Sequence, residues 1–485
     1  MSKEVRALEP KVLWNNFADL NAVPRGSKKE EKVIQFMVDF GKKLNLETIV
    51  DPVGNVIIKK PAFKGFENRK TIVMQSHLDM VHQKNADTIF DFDTEGIKMK
   101  IEGDWVKAEG TTLGADNGLG VAAIMSVLAA TDIKHPAIEA LFTIDEETGM
   151  TGAMGLQEGY LDGEILLNLD TEEDDEIDIG CAGGIDISAN NTYNEVNTPT
   201  NSTGYSIAVT GLNGGHSGMD IHRGLGNANK IMNRVLYEAQ EFLRISEING
   251  GSLRNAIPRE SFAKIAVYNS QKDAFLKKTQ KVVKAIKAEF KTIDPNLAIN
   301  IEPIDLPSKV MTTISQTNLL KALYAAHNGV YRMSNDMEGL VETSNNIARV
   351  IVKDEDITIL CLTRSSVESL KNDLANTLKA TFELVSYTVT QSGSYPGWKP
   401  NMNSPILTVL SEKYEELFGE KANVVACHAG LECGILGTNY PEMDMISFGP
   451  TIHGAHSPDE RAHIKSSQKF WKFLLTILEN IPLKN

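Results

Sequence analysis

The stretch that decides the fold is "ALFTIDEETGM", residues Ala140–Met150. An apolar run leads directly into Asp145, Glu146 and Glu147, and a Thr-Gly pair then breaks the pattern. Adjacent like charges repel, so a chain gains nothing from placing them at the end of a buried strand unless a cation neutralises them. The stretch therefore predicts a buried strand that ends at a charged functional site.

The composition is that of a soluble globular protein. The chain has 485 residues, of which 42% are hydrophobic and 23% charged, and this length corresponds to about two or three domains. The 64 acidic residues exceed the 49 basic ones and give a formal net charge of −15. This balance argues against nucleic acid or an anionic membrane as a partner, because both bind basic patches.

Cysteine usage and the apolar runs predict a cytoplasmic protein. The four cysteines form no CxxC or zinc-finger spacing, and we interpret them as reduced thiols. The segment "MSKEVRALEPKVLWNNF" lacks the apolar core of a signal peptide. The longest apolar run, "VAAIMSVLAA", is too short to span a membrane and predicts a buried helix.

Short apolar runs without alternation predict a sheet covered on both faces, of the kind that is often parallel and wrapped by helices. They are residues 70–76, 137–143, 163–169 and 443–449. A helix over 118–131 stands between the first two runs, as a crossover between parallel strands requires.

A change in the hydrophobic pattern along the chain predicts one domain interrupted by another. From about residue 205 the apolar runs give way to alternating strands and amphipathic helices, and a Gly/Pro/Ser-rich linker is predicted over 391–405. We therefore expect an α/β catalytic domain over 1–190 and 395–485, with a mixed, mainly parallel sheet between helices. Residues 200–392 would form an inserted α+β domain.

Each apolar strand is followed by side chains of the types that bind metal ions. These candidates are His77 and Asp79, then Asp145, Glu146 and Glu147, then Asp170, and finally His456, with Asp116 just before the helix that follows "TTLGA". Sites in open α/β sheets form at the carboxyl ends of the strands, so we expect these side chains to converge. A multivalent cation at that edge would neutralise the carboxylates.

The donor types indicate a catalytic metal site. Histidine and carboxylate ligands without thiolate suit Zn²⁺, Mn²⁺ or Co²⁺. The number of strong candidates fits two metals about 3.5–4 Å apart that share a bridging carboxylate. His77 and Asp79 lie on one face of an extended segment, so Asp79 either orients the His77 ring or binds metal itself.

Five motifs together resemble the motif set of the M20 family of dinuclear metallopeptidases. They are "SHLDMV", "GTTLGADNG", "DEETG", "LNLD" and "GAHSPDE", in matching order and spacing along almost the whole chain. "LNGGHSGMDIHRGLGNAN", "RNAIPRE", "VETSNNIA" and "CHAGLECG" are similar to the aminoacyl-histidine (Xaa-His) dipeptidases within that family. The resemblance implies a zinc-exopeptidase-like catalytic domain, an inserted lid domain, and hydrolysis of dipeptides that have a free amine, with Xaa-His preferred.

The resemblance also implies a metal-binding role for five residues. Asp116 would bridge two divalent metals, expected to be Zn²⁺, with Mn²⁺ or Co²⁺ as alternatives. His77 and Asp170 would complete one site. Glu147 and His456 would complete the other.

Further roles that the resemblance implies concern the reaction itself. Glu146 would be the general base that deprotonates a metal-bridging water and then passes the proton to the leaving amine. His216 would donate to the developing oxyanion, in this family often from the other subunit of a homodimer. Arg364 and Asn255 would hold the C-terminal carboxylate of the small peptide substrate.

Several assignments keep alternatives. Glu432 in "HAGLECG" either receives the free amine of the substrate or is a buried structural acid. His222 competes with His216, and Asp116 could be an ordinary helix N-cap. Asp145 and the acidic run "TEEDDEID" after Asp170 are expected to be solvated. The alternative function is that of an M20-type deacylase acting on N-acylated amino acids.

Overall fold

The computed structural model describes residues 3–484. The chain divides into two compact units. The first comprises the described residues up to Gly180, Pro400–Ala426 and the residues from Leu431 onward, and the second comprises Cys181–Lys399 and Cys427–Gly430.

The strands alternate with helices along most of the chain. They are β1 (Glu47–Val50), β2 (Val56–Lys60), β3 (Ile72–His77), β4 (Met99–Glu102), β5 (Trp105–Ala108), β6 (Ile138–Thr143), β7 (Ile165–Asn168), β8 (Glu176–Cys181), β9 (Gly183–Thr192), β10 (Glu195–Asn197), β11 (Ser202–Thr210), β12 (Gly215–His216), β13 (Leu243–Gly251), β14 (Ala256–Ile257), β15 (Ser261–Tyr268), β16 (Ala298–Ile304), β17 (Lys309–Met311), β18 (Gly329–Met333), β19 (Val341–Lys353), β20 (Asp356–Ser365), β21 (Thr388–Tyr395), β22 (Asn423–Cys427), β23 (Asp444–Ser447), β24 (Ile452–His453) and β25 (Arg461–His463).

Among residues 3–484, none of the helices has the length and apolar character that crossing a membrane requires. They are α1 (Lys3–Arg6), α2 (Lys11–Leu20), α3 (Glu31–Lys43), α4 (Ala115–Ala129), α5 (Glu146–Gly149), α6 (Thr151–Gly155), α7 (Ala228–Ala239), α8 (Lys272–Glu289), α9 (Thr313–Ala325), α10 (Glu368–Glu383), α11 (Pro405–Phe418), α12 (Glu432–Asn439) and α13 (Ile464–Asn480).

The main sheet of the first unit has the strand order β1-β2-β6-β3-β7-β23-β8-β22. Its four central strands, β6, β3, β7 and β23, run parallel, whereas β2 and β8 pair antiparallel with the strands beside them. Every residue of β3, β6 and β7 is buried, as apolar runs without alternation require. The predicted α/β class with a mixed sheet is confirmed.

Helix α4 packs against β3 and α2 and places Asp116 at the carboxyl edge of the parallel strands. Asp116 and Asn117 have non-helical backbone angles, so regular helix begins at Gly118, where the sequence predicts it. The helix is apolar on all sides and almost wholly buried. It therefore serves as a fixed base for the segment that precedes it.

The second unit is built on an antiparallel sheet of order β16-β11-β15-β13-β19-β20-β9-β21, with β18 added beside β19. Helices α7 to α10 contribute to its apolar core, which gives the predicted α+β character. Strand β9 pairs with β20 and β21, so residues 181–190 belong to this unit, earlier than the predicted start at residue 200. The linker prediction over 391–405 was wrong at its start, because β21 continues to Tyr395.

The packing of α4 leads to a stability prediction for Gly120. A Cβ at this position would meet Asn117 Oδ1 and Ser76 Oγ and would lie 2.7 Å from the backbone oxygen of Leu169. Because backbone cannot move aside cheaply, we expect Gly120→Ala to lower the free energy of unfolding by about 1–3 kcal/mol. Thermal unfolding should show a lower Tm than for the unmodified protein.

Gly437→Ala is the matched control in another helix of the same unit. The nearest atom to its added Cβ is the flexible end of Met445, at 3.3 Å, and alanine favours helix more than glycine does. We expect an unchanged or slightly higher Tm for this variant. Equal losses in the two variants would contradict the close packing of α4.

Candidate active site

Three of the predicted ligands meet around the ring of His77, which ends β3. His77 Nε2 lies 3.1 Å from Asp116 Oδ1 and 3.6 Å from Asp170 Oδ1. The three residues each offer one donor atom within 4.8 Å of the other two. The carboxyl ends of β3 and β7 and the start of α4 therefore form one candidate metal group.

A second group forms around His456 and shares Asp116 with the first. His456 Nε2 lies 2.8 Å from Glu147 Oε2 and 3.2 Å from Asp116 Oδ2. Asp116 thus faces one histidine with each of its two oxygens. A carboxylate shared in this way is what two adjacent metal ions require of a bridging ligand.

The charges at these groups fit divalent cations. Hydrogen bonds with Asp116 and Glu147 raise the pKa of His456 to about 11. Burial acts to lower the pKa of His77, but the neighbouring Asp170 and Asp116 raise it well above its usual range. The carboxylates thus draw positive charge to both rings. Metal ions at the two groups would supply that charge and bind the imidazoles in their neutral form.

Glu146 stands beside these groups without being needed to complete either of them. Its carboxylate forms a further cluster with His77 and Glu147. Burial is the largest reason that the pKa of Glu146 is well above its usual range, and Asp170 and Glu432 add to the effect. Glu146 and Glu147 are the first two residues of the short helix α5, which begins shortly after the end of β6.

Asp79 connects the end of β3 to the start of α5. Its Oδ1 accepts the Glu146 N–H at 3.0 Å, and its Oδ2 accepts the Glu147 N–H at 3.2 Å and the Ser27 hydroxyl at 2.8 Å. His77 Nδ1 lies 3.4 Å from Asp79 Oδ1. These contacts agree with the predicted orienting role. Asp79 also lies with Glu30 and Asp145 in a group of three buried carboxylates whose oxygens are within 4.8 Å of one another, so metal binding by Asp79 stays an alternative.

Two residues that the sequence reasoning missed hold the segment before Asp116. The Glu460 carboxylate accepts the backbone N–H groups of Leu113–Asp116 at 2.6–3.3 Å. Arg25 donates to the carbonyl oxygens of Leu78, Asp79 and Gly114, and its burial lowers the pKa of the guanidinium to about 10. Glu460 ends the quoted "HSPDE" motif and was findable there, whereas Arg25 lies outside every motif.

Two acids that were expected to be solvated are buried instead. Asp145 is 3% exposed and accepts the hydroxyls of Thr148 and Thr151, so it is not a solvated acid. In the run after Asp170, Asp178 is also buried, and burial raises the pKa of Glu172 to about 8. The expectation of a solvated run therefore fails at Asp178, whereas residues 172–176 are partly exposed.

Glu432 lies inside the first unit at the start of α12. It is fully buried, and its Oε2 accepts Gln75 Nε2 and the Thr143 hydroxyl, each at 2.6 Å. Burial raises its pKa to about 8. These contacts agree with the alternative of a buried structural acid, and amine binding by Glu432 stays a prediction.

In the second unit, His216 is held as a neutral donor. The backbone N–H groups of Gly218 and Met219 both point to His216 Nδ1, at 3.2 and 3.1 Å. Nδ1 must therefore accept, which leaves the ring proton on Nε2. Burial, with the nearby Arg364 charge, lowers the pKa of His216 to about 4, so the ring is neutral at neutral pH. The competing His222 is exposed.

Arg364 is a buried cation on β20. Its Nη1 donates to the Tyr395 hydroxyl at 2.9 Å, while its Nε has no hydrogen-bond partner. The pKa of His428 falls to about 3 through burial and this same charge, and its Nε2 lies 2.8 Å from Ser344 Oγ. Asn255 is exposed, and its carbonyl accepts the Ser217 N–H. Sequence reasoning missed His428, although it lies in the quoted "CHAGLECG".

The chain belongs to Peptidase family M20/M25/M40, which it matches over residues 73–480. It is 43% identical over 483 residues to the cytosol non-specific dipeptidase of Escherichia coli (strain K12), which covers 99% of this chain and 100% of that protein. The predicted family is thus confirmed.

Two solved structures define the fold relationship. The aminoacylhistidine dipeptidase from Vibrio alginolyticus matches with a TM-score of 0.93 and 44% identity over 100% of both chains. The aminopeptidase PepT from Bacillus cereus ATCC 10987 has a TM-score of 0.58 at 16% identity, covering 98% of this chain and 99% of that one. At this identity the second likeness concerns the fold alone.

The Glu460 contacts lead to a prediction for metal binding. In Glu460→Gln, two of the backbone N–H groups before Asp116 would face an amide NH₂ instead of an oxygen. We expect the affinity for divalent metal ions to be about tenfold weaker. Residues that hydrogen-bond to the ligand segment without binding metal themselves typically change the affinity by about that factor when they are replaced. Competition with a chelator of known affinity measures the change.

Asp459→Asn is the control, since Asp459 is exposed and adjacent. We expect unchanged metal affinity in this variant. If Glu460→Gln bound metal as tightly as the control does, the positioning role of Glu460 would be refuted.

Proposed function

We propose that this protein is a metal-dependent dipeptidase that hydrolyses dipeptides with a free amine and prefers Xaa-His dipeptides. The observation that carries the proposal is the shared carboxylate of Asp116 between His77 and His456, with Glu146 beside it. Two full-length relatives above 40% identity are named dipeptidases, and one of them is an aminoacylhistidine dipeptidase.

Five side chains would hold two metal ions. Asp116 would bridge them, with His77 and Asp170 on one ion and Glu147 and His456 on the other. When bound, the ions would act as Lewis acids toward the scissile carbonyl and the attacking water. Zn²⁺ is the expected metal, and the same donors also accept Mn²⁺ or Co²⁺.

Glu146 would move the proton of the reaction. Its carboxylate takes a proton from the attacking water as the new C–O bond forms, and returns it to the amine nitrogen as the C–N bond breaks. Asp79 supports this role, because it accepts the backbone N–H groups of both Glu146 and Glu147 and so fixes the start of α5.

The second unit would supply groups for the substrate. His216 carries its proton on Nε2 and can donate to a carbonyl oxygen that gains negative charge. Arg364 has a buried, unpartnered Nε beside its Nη groups, and a guanidinium edge of this kind binds a carboxylate through two parallel hydrogen bonds. We assign it the C-terminal carboxylate of the dipeptide, together with Asn255.

The cellular setting belongs to the same proposal. We expect a cytoplasmic homodimer that does not bind nucleic acid or membranes. The acidic composition and the cytosolic relative from Escherichia coli support this setting. Light scattering on the purified protein tests the dimer directly.

The first test of the proposed function concerns the class of substrate. After chelation and reloading with Zn²⁺ or Mn²⁺, the protein should release amino acids from free dipeptides, including β-Ala-His, and fastest from Xaa-His. N-acetylated counterparts should be inert. Glu146→Ala should lower kcat at least about 100-fold while metal binding persists, since it removes the base and leaves the ligands.

The other outcomes of this assay would contradict different parts of the proposal. Cleavage of the acetylated substrates alone would replace the dipeptidase proposal with the deacylase alternative. Full activity in Glu146→Ala would refute the assignment of the base. No cleavage of either substrate set by the metal-loaded protein would refute the proposed function.

The second prediction concerns Arg364. Arg364→Lys keeps the charge but loses the two-pronged geometry, so KM for dipeptides should rise about tenfold or more. Dipeptide amides, which lack the carboxylate, serve as the control substrates and should be cleaved equally by both proteins. Equal KM for free dipeptides in both proteins would refute the assignment.

A further inference from the structure

A row of polar side chains crosses the buried sheet of the first unit, and we call it the polar ladder. Its members are Glu432, Gln75, Asn168, Ser447, Thr171 and Asp178, and none is more than 6% exposed. The strand register sets Gln75 opposite Asn168, Asn168 opposite Ser447, and Ser447 opposite Asp178. The ladder therefore spans four adjacent strands of the sheet.

The ladder is continuous in hydrogen bonds. Gln75 Nε2 donates to Glu432 Oε2 at 2.6 Å, and Gln75 Oε1 accepts Asn168 Nδ2 at 2.5 Å. Asn168 Oδ1 then accepts the Ser447 hydroxyl at 2.5 Å.

The far end consists of two short contacts between oxygens. Ser447 Oγ lies 2.8 Å from Thr171 Oγ1, and Thr171 Oγ1 lies 2.8 Å from Asp178 Oδ2. Each contact of this kind needs one proton between its two oxygens.

The number of available hydroxyl protons determines the protonation state of Asp178 at one end of the ladder. Ser447 has a single hydroxyl proton, and it points to Asn168 Oδ1. The Thr171 hydroxyl proton must therefore lie on the Ser447 contact. No proton of Thr171 then remains for Asp178, so the 2.8 Å contact between them needs a proton from the Asp178 carboxyl group.

We propose that Asp178 is a neutral carboxylic acid that starts a one-directional chain of hydrogen bonds across the sheet, ends at the Glu432 carboxylate and positions the metal ligands. In this direction every member donates toward Glu432. The reverse direction would require the side-chain amides of Gln75 and Asn168 to be rotated by 180°. Glu432 would then be the neutral acid.

The orientations of the two side-chain amides favour the proposed direction, because Gln75 Oε1 faces Asn168 Nδ2 and Asn168 Oδ1 faces the Ser447 hydroxyl. Glu432 Oε2 receives a second donor, the Thr143 hydroxyl, whereas Glu432 Oε1 has no hydrogen-bond partner. Asp178 has the acidic Glu176 and Asp170 nearby, and burial together with these charges raises its pKa to about 7. Burial also raises the pKa of Glu432, to about 8, so the protonation of Asp178 follows from the hydrogen-bond directions and not from a comparison of the two pKa values.

The ladder lies directly before the candidate ligands in the chain. Gln75 precedes His77 by two residues on β3, and Asn168 and Thr171 flank Asp170. Thr143 ends β6, just before Glu146 and Glu147. The hydrogen bonds therefore tie together the strand ends from which the ligands project. This positioning role rests on the proposed metal site, whereas the protonation of Asp178 does not.

Infrared difference spectroscopy tests the protonation directly. The metal-loaded protein at about pH 6 lies well above the ordinary carboxyl pKa, so surface carboxylates are ionised. We expect a carboxylic-acid C=O band in the unmodified protein that disappears in Asp178→Asn and persists in Glu432→Gln. Loss of the band in Glu432→Gln instead, or an unmodified protein without the Asp178 band, would overturn the proposal.

A pair of variants at Asp178 tests the positioning role. Asp178→Asn keeps a donor toward Thr171 and should bind metal like the unmodified protein. Asp178→Leu has similar size without a donor and should bind metal about tenfold more weakly. Rescue by asparagine separates positioning from simple packing, and equal affinity in both variants would refute it.

These measurements use no substrate. Failure of the dipeptidase assay would therefore leave them interpretable. If Asp178→Leu does not fold, the infrared comparison of the two conservative variants still decides the protonation.

Discussion

The shared carboxylate of Asp116 is the contact on which the first unit depends. Each of its oxygens faces a different histidine, so the two candidate metal groups cannot be built independently of each other. Most of the neighbouring structure keeps this one side chain in place. Glu460 accepts the backbone N–H groups before it, Arg25 donates to the Gly114 carbonyl oxygen in the same segment, and α4 anchors the chain after it. A buried charge requires such compensation because it has lost the solvation of water.

The histidines at the candidate sites of the two units have pKa values shifted in opposite directions. The first unit gathers carboxylates around His77 and His456, and these carboxylates raise the pKa values of the two histidines. The second unit gathers Arg364, His216 and His428, and it lowers the pKa values of both histidines, so that of these three residues Arg364 is the one that stays charged at neutral pH. A set of acids suits metal ions, whereas a fixed cation with neutral donors suits an anionic group of a small ligand.

Sequence patterns predicted the parts of the fold that arise locally. Apolar runs located β3, β6, β7 and β23, and the motif residues His77, Asp116 and Glu147 could be placed at their ends. Strand β9 was missed although Ile185, Ile187 and Ala189 alternate with more exposed polar residues in the manner of a strand. Strand β19 was missed because several of its buried positions carry polar residues, which hydrogen-bond to residues far away in the chain. Asp178 and Asp145 were misjudged for the same reason, since their burial depends on partners that composition does not reveal. Arg25 bonds mainly to backbone carbonyls, and such contacts leave no pattern in a single sequence.

The position of β23 has a consequence for how the protein is made. This strand lies between β7 and β8, yet it follows them in the chain only after the whole second unit. A nascent chain therefore leaves the ribosome with a gap in the middle of its main sheet, and contacts of such long sequence separation form slowly. His456 and Glu460 arrive after the same strand. The candidate ligand set can therefore be completed only after all but the last residues of the polypeptide have been synthesised.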